Sequence, residues 1–536
     1  MRRWNGWGDE QVEYLVPAGA ADFLARLIGP GLMLEDATLE DVLAAVPAGR
    51  LPAHPLVDNS PLDRLRHARG QSLPDWIALR SGQIAVFPDG VAYPGRDDDV
   101  TALLRFAADA GAKVIPYGGG TSVTGHINAP AGASPVLVVD MRRLNRLRRF
   151  DENSHLATFG AGVTGPDLEA QLRARGFTLG HFPQSFEWST LGGWVVTRSS
   201  GQQSLGYGRI EKLFAGGRLE SPAGTLLLPA TIPASAAGPD LREMVLGSEG
   251  RLGILCEATV RASPLPEYED FQAIFFPDFD SGREATRQML QAHIPLAMLR
   301  LSTAAETQTL LRLAGHELLL GALERLLWVR GVGEQKALLL IGFSGRERLV
   351  RPARREAFQI AGQHGGVQVG RTFGNQWHKN RFRTPYLRNT LWTMGYAVDT
   401  LETATDWGNI PAMLTAIETA LSHNLPDEKV HVFSHLSHFY PYGSSIYTTY
   451  IFRRATDPEQ TLARWQQLKS AASQAIVAKG GTISHQHGVG SDHSAYLAAE
   501  KGALGLALIG AVIKELDPAG IMNPGKLLIN STDGTR

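Results

Sequence analysis

Three glycine-rich runs carry most of the legible chemistry in this chain. Pro116-Tyr117-Gly118-Gly119-Gly120-Thr121-Ser122 follows the apolar segment KVI. Successive glycines permit positive φ and let neighbouring N–H groups converge on an anion, while Thr121 and Ser122 add hydroxyl donors, a combination suited to a pyrophosphate. Alone, the run reads equally well as a strand-to-helix packing turn. It is neither a Walker loop nor a dinucleotide fingerprint, because the GxxxxGK[ST] and GxGxxG spacings are absent. The second run, PQSFEWSTLGGWVVTRSSGQQSLGYGRIEKL at 183–213, starts at Pro183 and interleaves Ser185, Ser189, Thr190, Thr197 and Ser200 with Gly192, Gly193 and Gly201. Close backbone approach beside short hydroxyl partners is what a long, flat, polar-edged cofactor needs. Gly247-Ser248-Glu249-Gly250, with Gly253 and Ile254, forms the third run. His485 and His487, in SHQHGVG, read as surface residues, as half of a metal site or as active-site imidazoles. Beyond His493 no third ligand follows at useful spacing, so no metal is predicted.

These runs need strands and turns to hold them. Residues 1–90 read as a helical packing segment with little chemistry of its own. From about 91 short apolar strands alternate with helices, as in KVIPYGGGTS, PVLVVDM and HLATFGAGV, which predicts an α+β domain over 91–270. Residues 271–505 carry longer helices and most histidines and aromatics, as expected of a substrate-covering cap domain, and 506–536 form a closing segment with Pro518 and Pro524. Even the long apolar stretch LLRLAGHELLLGALERLLWVRG at 310–331 is interrupted by Arg312, His316, Glu317, Glu324 and Arg325, so no membrane-spanning helix is predicted. It reads as a helix packed on its own domain, with a surface-seeking helix or lid as the alternative.

Composition excludes several classes. Hydrophobic residues at 43% and charged residues at 20% describe a globular chain of 536 residues rather than a disordered or coiled-coil one. A net charge of -1 supplies no field for gripping nucleic acid. The single cysteine, Cys256, can form neither an intrachain disulfide nor a Cys-based cluster, and the start, MRRWNGWGDEQ, lacks the apolar region of a secretory signal. A cytoplasmic protein, peripheral at a membrane, is expected.

The three glycine runs, in that order, resemble the FAD-binding flavoproteins typified by vanillyl-alcohol oxidase and p-cresol methylhydroxylase. The resemblance implies a two-subdomain FAD-binding domain with an α+β cap. It puts Gly118–Ser122 and Ser189–Gly193 at the pyrophosphate, with Glu249 and Ile254 near the adenosine. Covalent members carry a histidine directly after the loop glycines; Thr121 stands there, so noncovalent FAD is expected. WNGWG at 4–8, GPDLREMVLGSEGRLGI at 238–254, ETATDW at 402–407, SIYTTYIF at 445–452 and SHQHGVG at 484–490 further resemble the alkyl-dihydroxyacetonephosphate synthase branch. That branch exchanges the acyl group of acyl-dihydroxyacetone phosphate for a fatty alcohol without net oxidation.

By the same resemblance, Tyr447 is the proton acceptor, Arg388 meets the leaving carboxylate, Arg300 sits beside the flavin, Thr400 is a nearby small hydroxyl residue, and His485 and His487 complete the catalytic set. A tyrosine base needs a lowered pKa or a concerted transfer, and protonated His485 or His487 would supply the lowering. The departures are Gln486, where the branch has a third histidine, and Ser491, Asp492 and His493, where it has basic residues. They keep open an FAD-linked dehydrogenase of a 2-hydroxy acid or glycerol phosphate. A small-molecule or lipid-like substrate and a homodimer are the expected partners.

Overall fold

The computed structural model describes residues 1–17, 19–314 and 317–528. A four-stranded sheet runs in the order Val57–Asp58, Gly90–Ala92, Val136–Asp140, Lys113–Tyr117, and its last three strands are parallel. The segment VLVVD is buried at every position, the pattern of a strand covered on both faces. The crossover helix Asp97–Asp109 opens on three aspartates, favoured at the positive end of the helix dipole, and buries Val100, Leu103, Leu104 and Ala107. A five-stranded antiparallel sheet follows, ordered Leu147–Asp151, Leu156–Gly160, Ile254–Arg261, Phe214–Ser221, Gly224–Leu228.

The remainder centres on a seven-stranded antiparallel sheet. Its order is Val367–Gly370, Tyr268–Phe276, Ala337–Gly345, Met298–Ser302, His431–Tyr440, Gly443–Arg453, Tyr396–Asp406. One face packs on helices Phe279–Gln291, Glu347–Gln363, Ile410–Ser422 and Pro458–Ala478 through Leu301, Leu339, Leu436, Ile446 and Phe452. Because strand side chains alternate, the intervening residues all point to the opposite face.

The N-terminal segment contributes more than packing. Its helices Gly19–Ile28, Leu39–Ala44, Pro61–Arg66 and Leu73–Ser81 accompany an edge strand, and Trp7 exchanges hydrogen bonds with Asn389 across the molecule. The chain's other end returns as well: Met522 bridges Val114, and the Asn523 N–H donates to the Val114 carbonyl at 2.8 Å.

The stretch 310–331 falls on helices Ala304–Ala314 and Glu317–Val329. Leu311 and Leu327 are buried while Leu326, Trp328 and Val329 are exposed, and His316 lies outside the described residues. A different segment, Ser494–Leu516, is long and apolar enough by length and composition to cross a membrane. The sequence reading had not singled it out; it is mostly exposed, including Leu504 and Leu508, and Gly502 kinks it at φ 66°.

Candidate active site

One cavity of about 400 Å3 runs between the two glycine-rich loops and the free face of the seven-stranded sheet. Its first wall is backbone. The loop Gly118–Ser122 leaves the strand Lys113–Tyr117 and lies against Trp188–Thr190, so closely that a Cβ on Gly119 would overlap the Trp188 carbonyl. Among the described residues, the N–H groups of Gly119, Gly120, Thr121 and Ser122 have no protein acceptor. Converging unsatisfied amides of this kind form a cradle for an anion.

Pro116, Pro183, Ser185, Ser189, Thr190, Gly192, Gly193, Thr197, Glu249 and Ile254 also line this part, whereas Ser200 does not. Several hydroxyls expected to serve a ligand order their own loop instead. Thr190 caps the helix Leu191–Thr197 by accepting from Gly193 N–H, Ser189 accepts from the Trp194 indole at 2.7 Å, and Thr197 donates to the Gly193 carbonyl. Ser200 faces Ser204 and His438 behind the wall. The Glu249 carboxylate is likewise engaged by the protein. It accepts from the Val489 and Gly490 N–H groups, at 2.5 and 2.8 Å, and faces His126 at 3.2 Å. It thereby pins the loop after His487 to the cradle. Gly490, at φ 56°, is pressed on the Thr124 carbonyl, where a side chain has no room.

The second wall is made of side chains, and strand register selects them. His435 is the register partner of Tyr447, and Tyr447 is that of Glu402 on its other side. Thr400 lies two residues along from Glu402, and Arg300 shares the face through the pairing of Leu301 with Leu436. Arg300, Thr400, His435, Tyr447 and His487 all line the cavity. The His435 and Tyr447 rings stack at 5.0 Å and 19°, and His487 meets Tyr447 edge-on at 5.8 Å. The Tyr447 hydroxyl donates to Thr400 Oγ1 at 3.1 Å. Arg300 is not a free cation: it donates to Glu306 Oε1 at 2.8 Å, the same oxygen that His435 Nδ1 approaches at 2.9 Å.

Arg388, on the helix Leu387–Thr393, is half-buried. Its Nη1 donates to the Gln71 carbonyl at 2.5 Å and its Nε to the Val398 carbonyl at 3.1 Å, and its plane lies 4.3 Å from the Trp76 ring. Nη2 has no partner among the described residues. Burial lowers the Arg388 pKa from the ordinary arginine value, yet guanidinium still stays charged at neutral pH. A half-buried cation with a buried, unpartnered Nη2 therefore lines the cavity. Beyond it Leu24, Leu310, Leu313, Leu391, Phe433 and Ile451 form an apolar arm.

Residues 88–228 match the FAD binding domain family, and residues 265–527 match the C-terminal domain of FAD linked oxidases. The chain is 31% identical over 476 residues to the alkyldihydroxyacetonephosphate synthase of Trypanosoma brucei brucei, an alignment covering 87% of this chain and 77% of that one. The chain belongs to the alkyldihydroxyacetonephosphate synthase family. A solved alkyldihydroxyacetonephosphate synthase structure superposes over 98% of both chains with a TM-score of 0.83 at 27% identity. Substrate-bound p-cresol methylhydroxylase, at 13% identity, shares the fold over 90% of this chain and 95% of its own, with a TM-score of 0.68. The flavoprotein resemblance, the α+β fold and the FAD cofactor read from the sequence accordingly stand. The cradle also fits the cofactor on physical grounds, since its unsatisfied amides and closely packed glycines match an anionic diphosphate.

Against this family background, several details depart from the sequence reading. His485 does not reach the cavity. Its Nε2 receives Tyr440 Oη at 2.8 Å and Arg209 Nη1 at 3.2 Å, and its Nδ1 lies 3.1 Å from Glu402 Oε1. Arginine can only donate, so Nε2 is the acceptor and the neutral ring carries its proton on Nδ1, toward Glu402. Glu402, His438 and His485 are close enough to hold a metal ion. With that tautomer, however, a proton already closes the Glu402–His485 contact. His438 joins this group because a register irregularity between Leu436 and Phe439 turns it to the cavity side of the strand.

Nor do His485 and His487 lower the Tyr447 pKa, and the pull of Arg388 in that direction is outweighed by burial. Burial raises it above the ordinary tyrosine value, and burial also lowers His487, which stays neutral near pH 7. Ser491, Asp492 and His493 lie off the cavity lining. Burial pushes Asp492 up to about 6, so near pH 7 it is still mainly the charged carboxylate, held off the cavity lining. The sequence reading missed His435, Glu306, Gln71 and Trp76. The pattern SHLSH on an alternating strand was the available signal for the histidine.

Proposed function

We propose that this chain is an alkylglycerone-phosphate synthase-like enzyme that uses noncovalently held FAD to exchange the acyl group of acyl-dihydroxyacetone phosphate for a fatty alcohol. The observation carrying this reading is Arg388, a half-buried arginine with an unpartnered Nη2, lining the same cavity as the cofactor cradle and the apolar arm. A carboxylate departing from a long-chain ester would find there a charge-assisted partner for its head and apolar walls for its tail. FAD, when bound, supplies a redox-active ring able to accept and return electrons at the reacting carbon.

The residues around that ring handle protons. Tyr447, with its raised pKa, serves only through a concerted transfer, taking the proton from the carbon bearing the ester oxygen while passing on its own. The neutral imidazole of His487 against its edge is suited to receive the phenolic proton. Thr400 fixes the direction of the hydroxyl. Thr121, in the position after the loop glycines, lacks the imidazole that a histidyl flavin link requires.

The dehydrogenase alternative would use the same arginines on a short hydroxy acid, but that substrate would leave the apolar arm unfilled. The deciding experiment mixes holoenzyme anaerobically with acyl-dihydroxyacetone phosphate and labelled hexadecanol. Labelled ether product without any oxidant is expected, and flavin should be released by acid precipitation. Turnover that strictly requires an external oxidant would overturn the synthase reading.

A further inference from the structure

We infer that His435 is the base that deprotonates the incoming alcohol, an inference that rests on the synthase reading above. Three observations converge on it. The ring lines the cavity, lies parallel to Tyr447, and is held from behind by Glu306, which is buried within the protein. Glu306 Oε1 can only accept, and it is the nearest partner of His435 Nδ1, at 2.9 Å; Arg300 donates to the same oxygen. Arg300 Nη2 also lies 3.2 Å from Nδ1, but it donates to Glu306 Oε1 at the shorter 2.8 Å, so the closer Glu306 contact sets the tautomer and the proton of the neutral ring sits on Nδ1. Nε2 is left with a lone pair and no protein partner among the described residues, on the cavity side. This is the arrangement of a carboxylate-oriented imidazole base: the acid group fixes the tautomer and stabilises the imidazolium once a proton arrives.

The base duties are then divided. Tyr447 and His487 deal with the proton on carbon, and His435, one strand away, deals with the proton on oxygen. As the alcohol oxygen forms the new C–O bond its O–H bond breaks, and the proton passes to His435 Nε2. The fatty carboxylate has left with the electron pair of the old C–O bond. The proton is released afterwards from His435, so the exchange yields ether, carboxylate and one proton. Glu306 acts through His435 and is a positioning residue.

The test separates the two halves of the exchange in the holoenzyme. Wild type, His435→Gln and His435→Asn are compared in two assays: incorporation of labelled palmitate into acyl-dihydroxyacetone phosphate without alcohol, and formation of ether from labelled hexadecanol. Palmitate exchange should stay within about threefold of wild type, while ether formation at saturating alcohol falls by about 100-fold, the contribution usual for a positioned base. Melting temperature and flavin absorbance control for folding. Equal losses in both assays, or unchanged ether formation, would overturn the role of His435 while leaving the synthase reading intact. A wild type that makes no ether would overturn both.

Discussion

Two glutamate–histidine pairs each place one member on the same sheet, His435 in one and Glu402 in the other, and differ in access. Glu306–His435 faces the cavity, with a free Nε2, whereas Glu402–His485 lies behind the wall with both ring nitrogens occupied. Identical chemistry therefore serves two ends. The front pair holds a lone pair where a ligand can reach it. The back pair ties the strand Tyr396–Asp406 to the loop bearing His487, reinforced by the His485 N–H donating to the Glu402 carbonyl and by Arg209 donating to the His485 carbonyl. A histidine's role here follows from what satisfies its second nitrogen.

Removing the carboxylate from each pair should expose the difference most strongly. Glu402→Leu leaves the enclosed Nδ1–H of His485 without an acceptor beside the half-buried Arg209 and should cost about 3–5 kcal/mol in urea unfolding. Glu306→Leu leaves His435 on a cavity it can turn toward and should cost about 1–3 kcal/mol. Equal losses would dissolve the distinction.

A change confined to the front should instead appear in rates. Arg388→Lys replaces a planar donor fork stacked on Trp76 with a point charge. The expected fall in kcat/KM for the acyl substrate is about 100-fold, or about 2.7 kcal/mol. Stability should move by less than about 1 kcal/mol if the Gln71 and Val398 carbonyls are re-satisfied. An unchanged rate would remove Arg388 from the site.

The smallest effect concerns acid. Arg300 and the His435 N–H hold Glu306 down to about 2 despite burial, against an ordinary value of 4.5. A depressed folded-state pKa contributes stability above the unfolded value, and this is lost as pH falls. Stability should therefore decline from pH 4.5 toward about 2, and Glu306→Gln should flatten that decline in unfolding measured at successive pH values. An identical acid slope in the variant would show that the carboxylate is not held by its neighbours.

The sequence by itself determined the cofactor cradle. An amide cradle is built from consecutive residues, and glycine is required where backbone meets backbone, so the signal at 118–122 and 189–193 is local. It also determined Tyr447, Thr400, Arg300, Arg388 and His487 as cavity residues, through motifs whose spacing carries over with the family fold. Only the tertiary structure decided which histidine faces the ligand. His485 and His487 are two apart on a loop, and nothing local says that the first is claimed by Tyr440, Arg209 and Glu402. His435 and Glu306 are brought together by strand order and a helix packed across it, contacts between residues distant in sequence. The pKa directions belong to the same class: Tyr447 was expected to be lowered by neighbouring cations and is raised instead, because burial depends on everything packed around the ring rather than on its neighbours in the chain.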